Sequence, residues 1–79
     1  MSDIEAIASR VKESAPFGCY VLKSSTNVRL MREMGPYGVE LACYSKRRVC
    51  VHGGTWSDRI TGRGWTERAA ATMLAAATK

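Results

Sequence analysis

Turn-forming residues recur at short intervals through the middle of this chain and leave room only for short strands between them. The clusters are Ser24-Ser25-Thr26-Asn27, Gly35-Pro36-Tyr37-Gly38, Ser45-Lys46-Arg47-Arg48 and Gly53-Gly54. Glycine and proline preset turn dihedrals, and serine and asparagine bond to nearby backbone groups. Because short connections join neighbouring antiparallel strands, the spacing predicts an antiparallel meander.

The segments between these turns are rich in aromatic and β-branched residues, which favours strands. The expected strands are Phe17–Lys23, Val39–Tyr44 and Val49–His52. The segment Val28–Met34 fits either a strand or a short helix capped by Thr26, and the strand is favoured. The sheet therefore has three or four strands. Residues 55–65 are expected to form a loop, with a short strand around Arg59–Thr61 as an option.

Both ends of the chain show helical periodicity. Ser2–Ser14 begins with a capping-box pattern, Ser2 followed by Glu5, and Pro16 ends it. Its apolar stripe consists of Ile4, Ile7, Ala8, Val11 and Ala15. The second helix, Thr66–Ala77, has Thr66 as its expected N-cap. The expected core residues of this alanine-rich helix are Ala70, Met73, Leu74 and Ala77.

These elements define an α+β fold, a three- to four-stranded antiparallel meander flanked by an N-terminal and a C-terminal helix. The 79 residues are expected to form one domain, residues 1–79, with a thin core. No basic apolar leader and no run of roughly 18 apolar residues occurs, so a cytoplasmic protein without a membrane span is expected. Three cysteines, an odd number, do not fit a secreted disulfide framework.

Most of the net charge of +5 lies between Lys46 and Arg63, a stretch that contains five cationic residues and one acidic residue, Asp58. Such a basic stretch is typical of a protein with an anionic partner. The same stretch contains two tryptophans, and arginine with tryptophan is the composition of interface hot spots and of base-stacking surfaces. Trp65 is expected in the core and Trp56 partly exposed. The predicted contact residues are Lys46, Arg47, Arg48, Trp56, Arg59 and Arg63.

No residue pattern predicts catalysis, a cofactor or a metal. A hairpin centred on Lys46-Arg47 places Cys43 opposite Cys50, with His52 on the same face. Zinc would need a fourth ligand, for which Cys19 is the candidate. Buried thiols acting as small hydrophobic groups are the favoured reading, with a cross-strand disulfide as a further alternative. A nucleophilic cysteine also needs an oriented base and an oxyanion site, and the sequence offers no group for these.

The C-terminal third resembles a double-stranded-RNA-binding domain. The residues that carry the resemblance are the turn Gly62-Arg63-Gly64-Trp65-Thr66 and the small helix face of Ala70, Leu74 and Ala75. The order helix, strands, helix also matches, although the chain has one strand more. The lysine-rich first helical turn of that family is replaced by residues 67–71, in which Arg68 alone is cationic. The resemblance implies binding to duplex RNA.

The chain also resembles small phage-encoded inhibitors of the anti-CRISPR class. The resemblance lies in its short length, its single α+β domain and the lack of a catalytic pattern, and not in any motif. That resemblance implies a non-enzymatic protein that occludes a surface of a bacterial nucleic-acid-targeting complex. The expected partner is a host protein or nucleoprotein complex with an acidic face, contacted by a monomer or weak dimer in the host cytoplasm. The alternative is a nucleic-acid-binding module, and a third possibility is a structural phage protein that self-associates.

Overall fold

Four strands form one antiparallel meander in a computed structural model that describes residues 3–51, 59–62 and 64–78. The elements are α1 (Asp3–Ser14), β1 (Cys19–Lys23), β2 (Asn27–Met34), β3 (Tyr37–Ser45), β4 (Arg48–Val51) and α2 (Trp65–Ala77). Each strand pairs with the next along the chain, which gives the order β1-β2-β3-β4. The predicted α+β fold is confirmed in its four-stranded form, because the segment Val28–Met34 lies in a strand.

The two helices lie side by side on one face of this sheet. Helix α1 contacts β1 and β2, and helix α2 contacts β3 and β4. Ile7, Ala8 and Val11 of the predicted stripe are buried between the layers. Nε of Arg10 donates a hydrogen bond of 2.8 Å to the carbonyl oxygen of Ala76. This bond ties α1 to the last turn of α2, where carbonyl groups lack helical partners and attract positive charge.

The buried face of α2 differs from the predicted one. It consists of Thr66, Ala69, Met73 and Ala76, spaced three and four residues apart. Met73 was expected in the core and is fully buried there, but Leu74 is half exposed. Gly64, with a φ of 88°, is the N-cap instead of Thr66, which lies inside the helix. A helix made mostly of alanine has no strong apolar stripe in its sequence, so its rotation is decided by packing.

A β-bulge interrupts the pairing of β2 with β3. Leu30 pairs with Ala42, and Met31 pairs with Glu40, so Leu41 is the extra residue. Leu41 and Ala42 are both fully buried, although strict alternation would point one of them away from the helices. The bulge therefore lets two consecutive apolar residues enter the core.

Several predicted boundaries are wrong by a few residues. Strand β1 begins at Cys19, since residues 17 and 18 form a turn with Gly18 at a φ of 88°. The second turn contains only residues 35 and 36, and β3 starts at Tyr37. Residues 59–61 are helical, which excludes the optional strand there. The predicted capping-box residue Ser2, and His52 at the expected end of the last strand, lie outside the described residues.

The sheet face opposite the helices carries Arg29, Glu40, Tyr20 and Gly38. The Arg29 guanidinium donates a hydrogen bond to the Glu40 carboxylate, which raises the pKa of Arg29. The Tyr20 hydroxyl lies so close to Gly38 that a Cβ atom there would meet it at 1.9 Å. Glycine at this position therefore lets the tyrosine ring lie across the sheet.

Candidate binding surface

The basic hairpin, defined as Lys46, Arg47 and Arg48, joins β3 to β4. Ser45 pairs with Arg48, so the turn itself consists of two residues. Lys46 and Arg47 both have positive φ, 52° and 64°. Two-residue turns with positive φ at both positions match the twist of the flanking strands. The side chains of all three cationic residues are exposed at the tip.

This turn uses residues that disfavour its geometry. A left-handed conformation costs a residue other than glycine roughly 1–2 kcal/mol, and asparagine or glycine is usual at such positions. The flanking pairs Tyr44 with Val49 and Cys43 with Cys50 hold the register. The sheet thus fixes two cations in a strained turn, a combination that is often associated with function.

The β1–β2 turn lies beside the basic hairpin at the same end of the sheet. A shallow cavity of about 310 Å³ between them is lined by Ile4, Ser25, Thr26, Tyr44, Lys46 and Arg47. Ser24 holds the neighbouring turn through its hydroxyl, which accepts hydrogen bonds from the backbone N–H groups of Thr26 and Asn27. Among the described residues that line this cavity there is no carboxylate, so its polar rim is cationic and neutral.

Of the remaining predicted contact residues, Arg59 lies within the described structure. It is exposed and lies in the helical turn between β4 and α2. Trp56 and Arg63 lie outside the described residues.

A second cationic group lies around Trp65. The guanidinium carbon of Arg32 is 3.6 Å from the centre of the Trp65 ring, and that of Arg68 is 5.4 Å away. Both contacts fall in the range of cation–π interactions. Trp65 itself is half-buried and packs against the core, close to its predicted location. Arg32 was not among the contact residues predicted from the sequence.

The cysteines are less buried than predicted, since Cys19 and Cys43 are half-buried and Cys50 is exposed. Cys43 pairs with Cys50 across the β3–β4 hairpin as predicted, and all three cysteines are free. Burial raises the pKa of the Cys19 thiol, and the nearby Arg32 guanidinium opposes this in part. Burial also raises the pKa of Cys43, with a further contribution from the Glu40 carboxylate. Thiols with raised pKa are poor nucleophiles and metal ligands because the thiolate is the reactive form.

The described residues contain no group of three or more potential ligands, counting histidine, cysteine, aspartate and glutamate, that could hold a metal ion. His52, the only histidine of the chain, lies outside them. The described helices include none that is long and apolar enough to span a membrane.

Comparison of the chain with the profiles of known protein families, with curated protein sequences and with solved structures finds no match. A function for this chain is therefore inferred from its own contact geometry and charges.

Proposed function

We propose that this chain is a non-enzymatic binding protein of the anti-CRISPR type. In this proposal it acts in the cytoplasm of a bacterial host and occludes an acidic face of a nucleic-acid-targeting complex. The observation that carries the proposal is the basic hairpin, in which Lys46 and Arg47 occupy left-handed backbone conformations at an exposed tip.

The hairpin suits a protein face with negative charge. Its three cations are held by a sheet instead of a loose loop, so less conformational entropy is lost when they bind. Complementary charge speeds the encounter with an acidic surface and penalises basic competitors. The net charge of +5 acts in the same direction over longer distances.

Two of the three thiols are poorly suited to nucleophilic catalysis. Cys19 and Cys43 both have raised pKa values, whereas a catalytic cysteine needs a lowered one. The cavity beside the basic hairpin is shallow and lined by hydroxyl and cationic groups. Such a surface can recognise a partner without converting it.

Reversing the charge of the hairpin tests the proposal. Arg47→Glu combined with Arg48→Glu places like charges opposite an acidic face, which costs several kcal/mol in comparable interfaces. We expect partner binding to fall by at least about tenfold. Capture of a nucleic-acid-targeting complex from a bacterial lysate by the wild-type protein identifies the partner, and titration of that purified complex measures the change.

The matched control is Lys12→Glu, compared with the single variant Arg47→Glu, which changes the net charge equally. Lys12 is exposed on α1 and belongs to neither of the binding surfaces described above. Equal losses in these two single variants would show that net charge alone decides binding. An unchanged affinity of the hairpin variant would remove the basic hairpin from the interface.

The second candidate function is a nucleic-acid-binding module of the double-stranded-RNA-binding kind. It is favoured by the placement of two helices on one face of an antiparallel sheet and by the turn that precedes α2. Gly62 and Gly64 both have positive φ in that turn, and Arg68 is exposed in the first turn of α2. An arginine at this position can contact phosphates.

A gel-shift titration against duplex RNA and duplex DNA at two salt concentrations tests this candidate. Each phosphate contact contributes roughly −0.9 to the slope of log K against log salt on a B-form DNA duplex. If the module binds duplexes, Arg68→Glu should weaken binding and flatten the slope. Absence of binding to either duplex at low salt would exclude this function.

A further inference from the structure

A groove at the other end of the sheet from the basic hairpin combines cationic and aromatic side chains. It has a volume of about 630 Å³ and is lined in part by Pro16, Phe17, Gly18, Arg32, Trp65 and Arg68. It lies where α1 ends, where β2 turns into β3 and where α2 begins. Its volume falls within the range of small-molecule sites.

Arg32 is held rigidly at the base of this groove. Its guanidinium stacks on the Trp65 ring at 3.6 Å, and a Cβ atom added to Gly18 would meet Nη1 at 2.7 Å. The Nε atom is buried and has no hydrogen-bond partner. Among the described residues no carboxylate forms an ion pair with Arg32. A guanidinium without a carboxylate partner is a group that an anion in the groove would stabilise.

Arg68 brings a second guanidinium to the same place. It lies 5.4 Å from the centre of the same ring, and its side chain is exposed. Both arginines line the groove, so an oxyanion inside it would be attracted by two positive charges. Helix α2 also begins here, at Gly64, without a side-chain cap, so the positive end of its dipole adds to the field.

Phe17, the only phenylalanine of the chain, stands at the mouth of the groove. Its side chain is 99% exposed, although a phenylalanine gains free energy when it is buried. A flat apolar ring beside two guanidinium groups is suited to stack against a base while a phosphate meets the cations.

We propose that this groove binds a nucleoside phosphate, with the phosphate on Arg32 and Arg68 and the base against Phe17. The source can be a free mononucleotide or a single-stranded nucleic acid, since both present this unit. Glu33 lines the same groove and is exposed, so its carboxylate opposes phosphate binding. The site lies apart from the basic hairpin and does not depend on the function proposed for it.

Trp65 serves as a reporter of binding once Trp56→Phe has made it the only indole of the chain. In this background, adenosine 5′-monophosphate is expected to quench the Trp65 fluorescence saturably. Phe17→Ala and Arg68→Ala should each weaken binding about fivefold or more. This is the lower end of the affinity loss that follows removal of a stacked base contact or a charge-assisted hydrogen bond. Both residues are exposed, so the variants should fold. Glu33→Gln should tighten binding.

The matched controls are Tyr37→Ala, which removes another exposed aromatic ring, and Arg48→Ala, which removes a cation of the basic hairpin. Both should leave the affinity unchanged. Inorganic phosphate should compete with the nucleotide. Its affinity should fall in Arg68→Ala and stay unchanged in Phe17→Ala. If a short single-stranded oligonucleotide binds more tightly than the mononucleotide, the ligand is single-stranded nucleic acid. If the mononucleotide binds more tightly, the ligand is a free nucleotide.

Three results would overturn the site. They are no saturable quenching, an equal loss in Arg48→Ala and Arg68→Ala, or full affinity in Phe17→Ala. A failure of the hairpin variants to affect partner capture would leave this site untouched, so the two proposals fail separately.

Discussion

Lys46→Asn combined with Arg47→Gly is expected to stabilise the protein and to weaken partner capture. Both wild-type residues have positive φ, which costs roughly 1–2 kcal/mol for each. Asparagine followed by glycine is the preferred pair for a two-residue turn of this geometry. Glycine also raises the conformational entropy of the unfolded chain, which lowers the unfolding free energy by about 0.4–1 kcal/mol, so the expected net gain is about 1–3 kcal/mol.

Urea or thermal unfolding measures the gain, which corresponds to a rise in Tm of roughly 4–8 °C per kcal/mol in a domain of this size. The control exchanges the two cations, Lys46→Arg with Arg47→Lys. It keeps the charge and still places two residues other than glycine at positive φ. Its stability and partner capture should match the wild type. No gain in stability would show that the turn is unstrained, and full capture by the first variant would show that the tip makes no contact.

A stabilised variant with weaker partner capture would explain why cations occupy a turn that disfavours them. Natural proteins often retain strain where a side chain is needed for binding, and removing it trades function for stability. The basic hairpin would then be a binding element, whereas the neighbouring Ser24–Thr26 turn, held by its own hydroxyl bonds, would be structural.

The strands and turns of this fold could be predicted from the sequence because their signals are local. Alternation over residues 28–34 and the polar clusters at residues 24–27 and 45–48 depend only on neighbours in the chain. The pairing of Cys43 with Cys50 followed from the position of the turn. The bulge at Leu41 was not predictable in the same way, since it depends on how two strands pack under the helices.

The second cationic group depends on contacts between distant segments, and the sequence analysis missed it. One signal was present, since Arg32 continues the alternation of Val28 and Leu30 and therefore points toward the helices. A charge on the core-facing side of a strand usually has a specific partner, which here is the Trp65 ring. Phe17 was expected within a strand, but the turn at Gly18 places its ring in solvent.

The sequence also predicted that several contact residues lie together. Lys46, Arg47 and Arg48 do lie together, because one tight turn holds them. Arg59 is exposed in a separate helical turn, and residues 52–58 between that turn and β4 lie outside the described residues. A charge count along the sequence does not distinguish a cation in a hairpin from one in a helical turn.

Met73→Ala is expected to cause the largest loss of stability of any change considered. Met73 is fully buried, and its companions on the buried face of α2 are alanines and a threonine. Removing this long side chain from the buried face of α2 should cost about 2–5 kcal/mol. A chain of 79 residues has a total stability of roughly 4–12 kcal/mol, so a large part of it would be lost.

Leu74→Ala is the matched control, because it removes a side chain of similar size from the next position of the same helix. Leu74 is half exposed, so its loss should cost less than about 1 kcal/mol, and both changes alter helix propensity only slightly. Urea unfolding of the two variants measures the difference. Met73→Leu, which keeps the volume, should cost less than about 1.5 kcal/mol. Equal losses at positions 73 and 74 would show that Met73 contributes no more than Leu74 to the packing of α2 on the sheet.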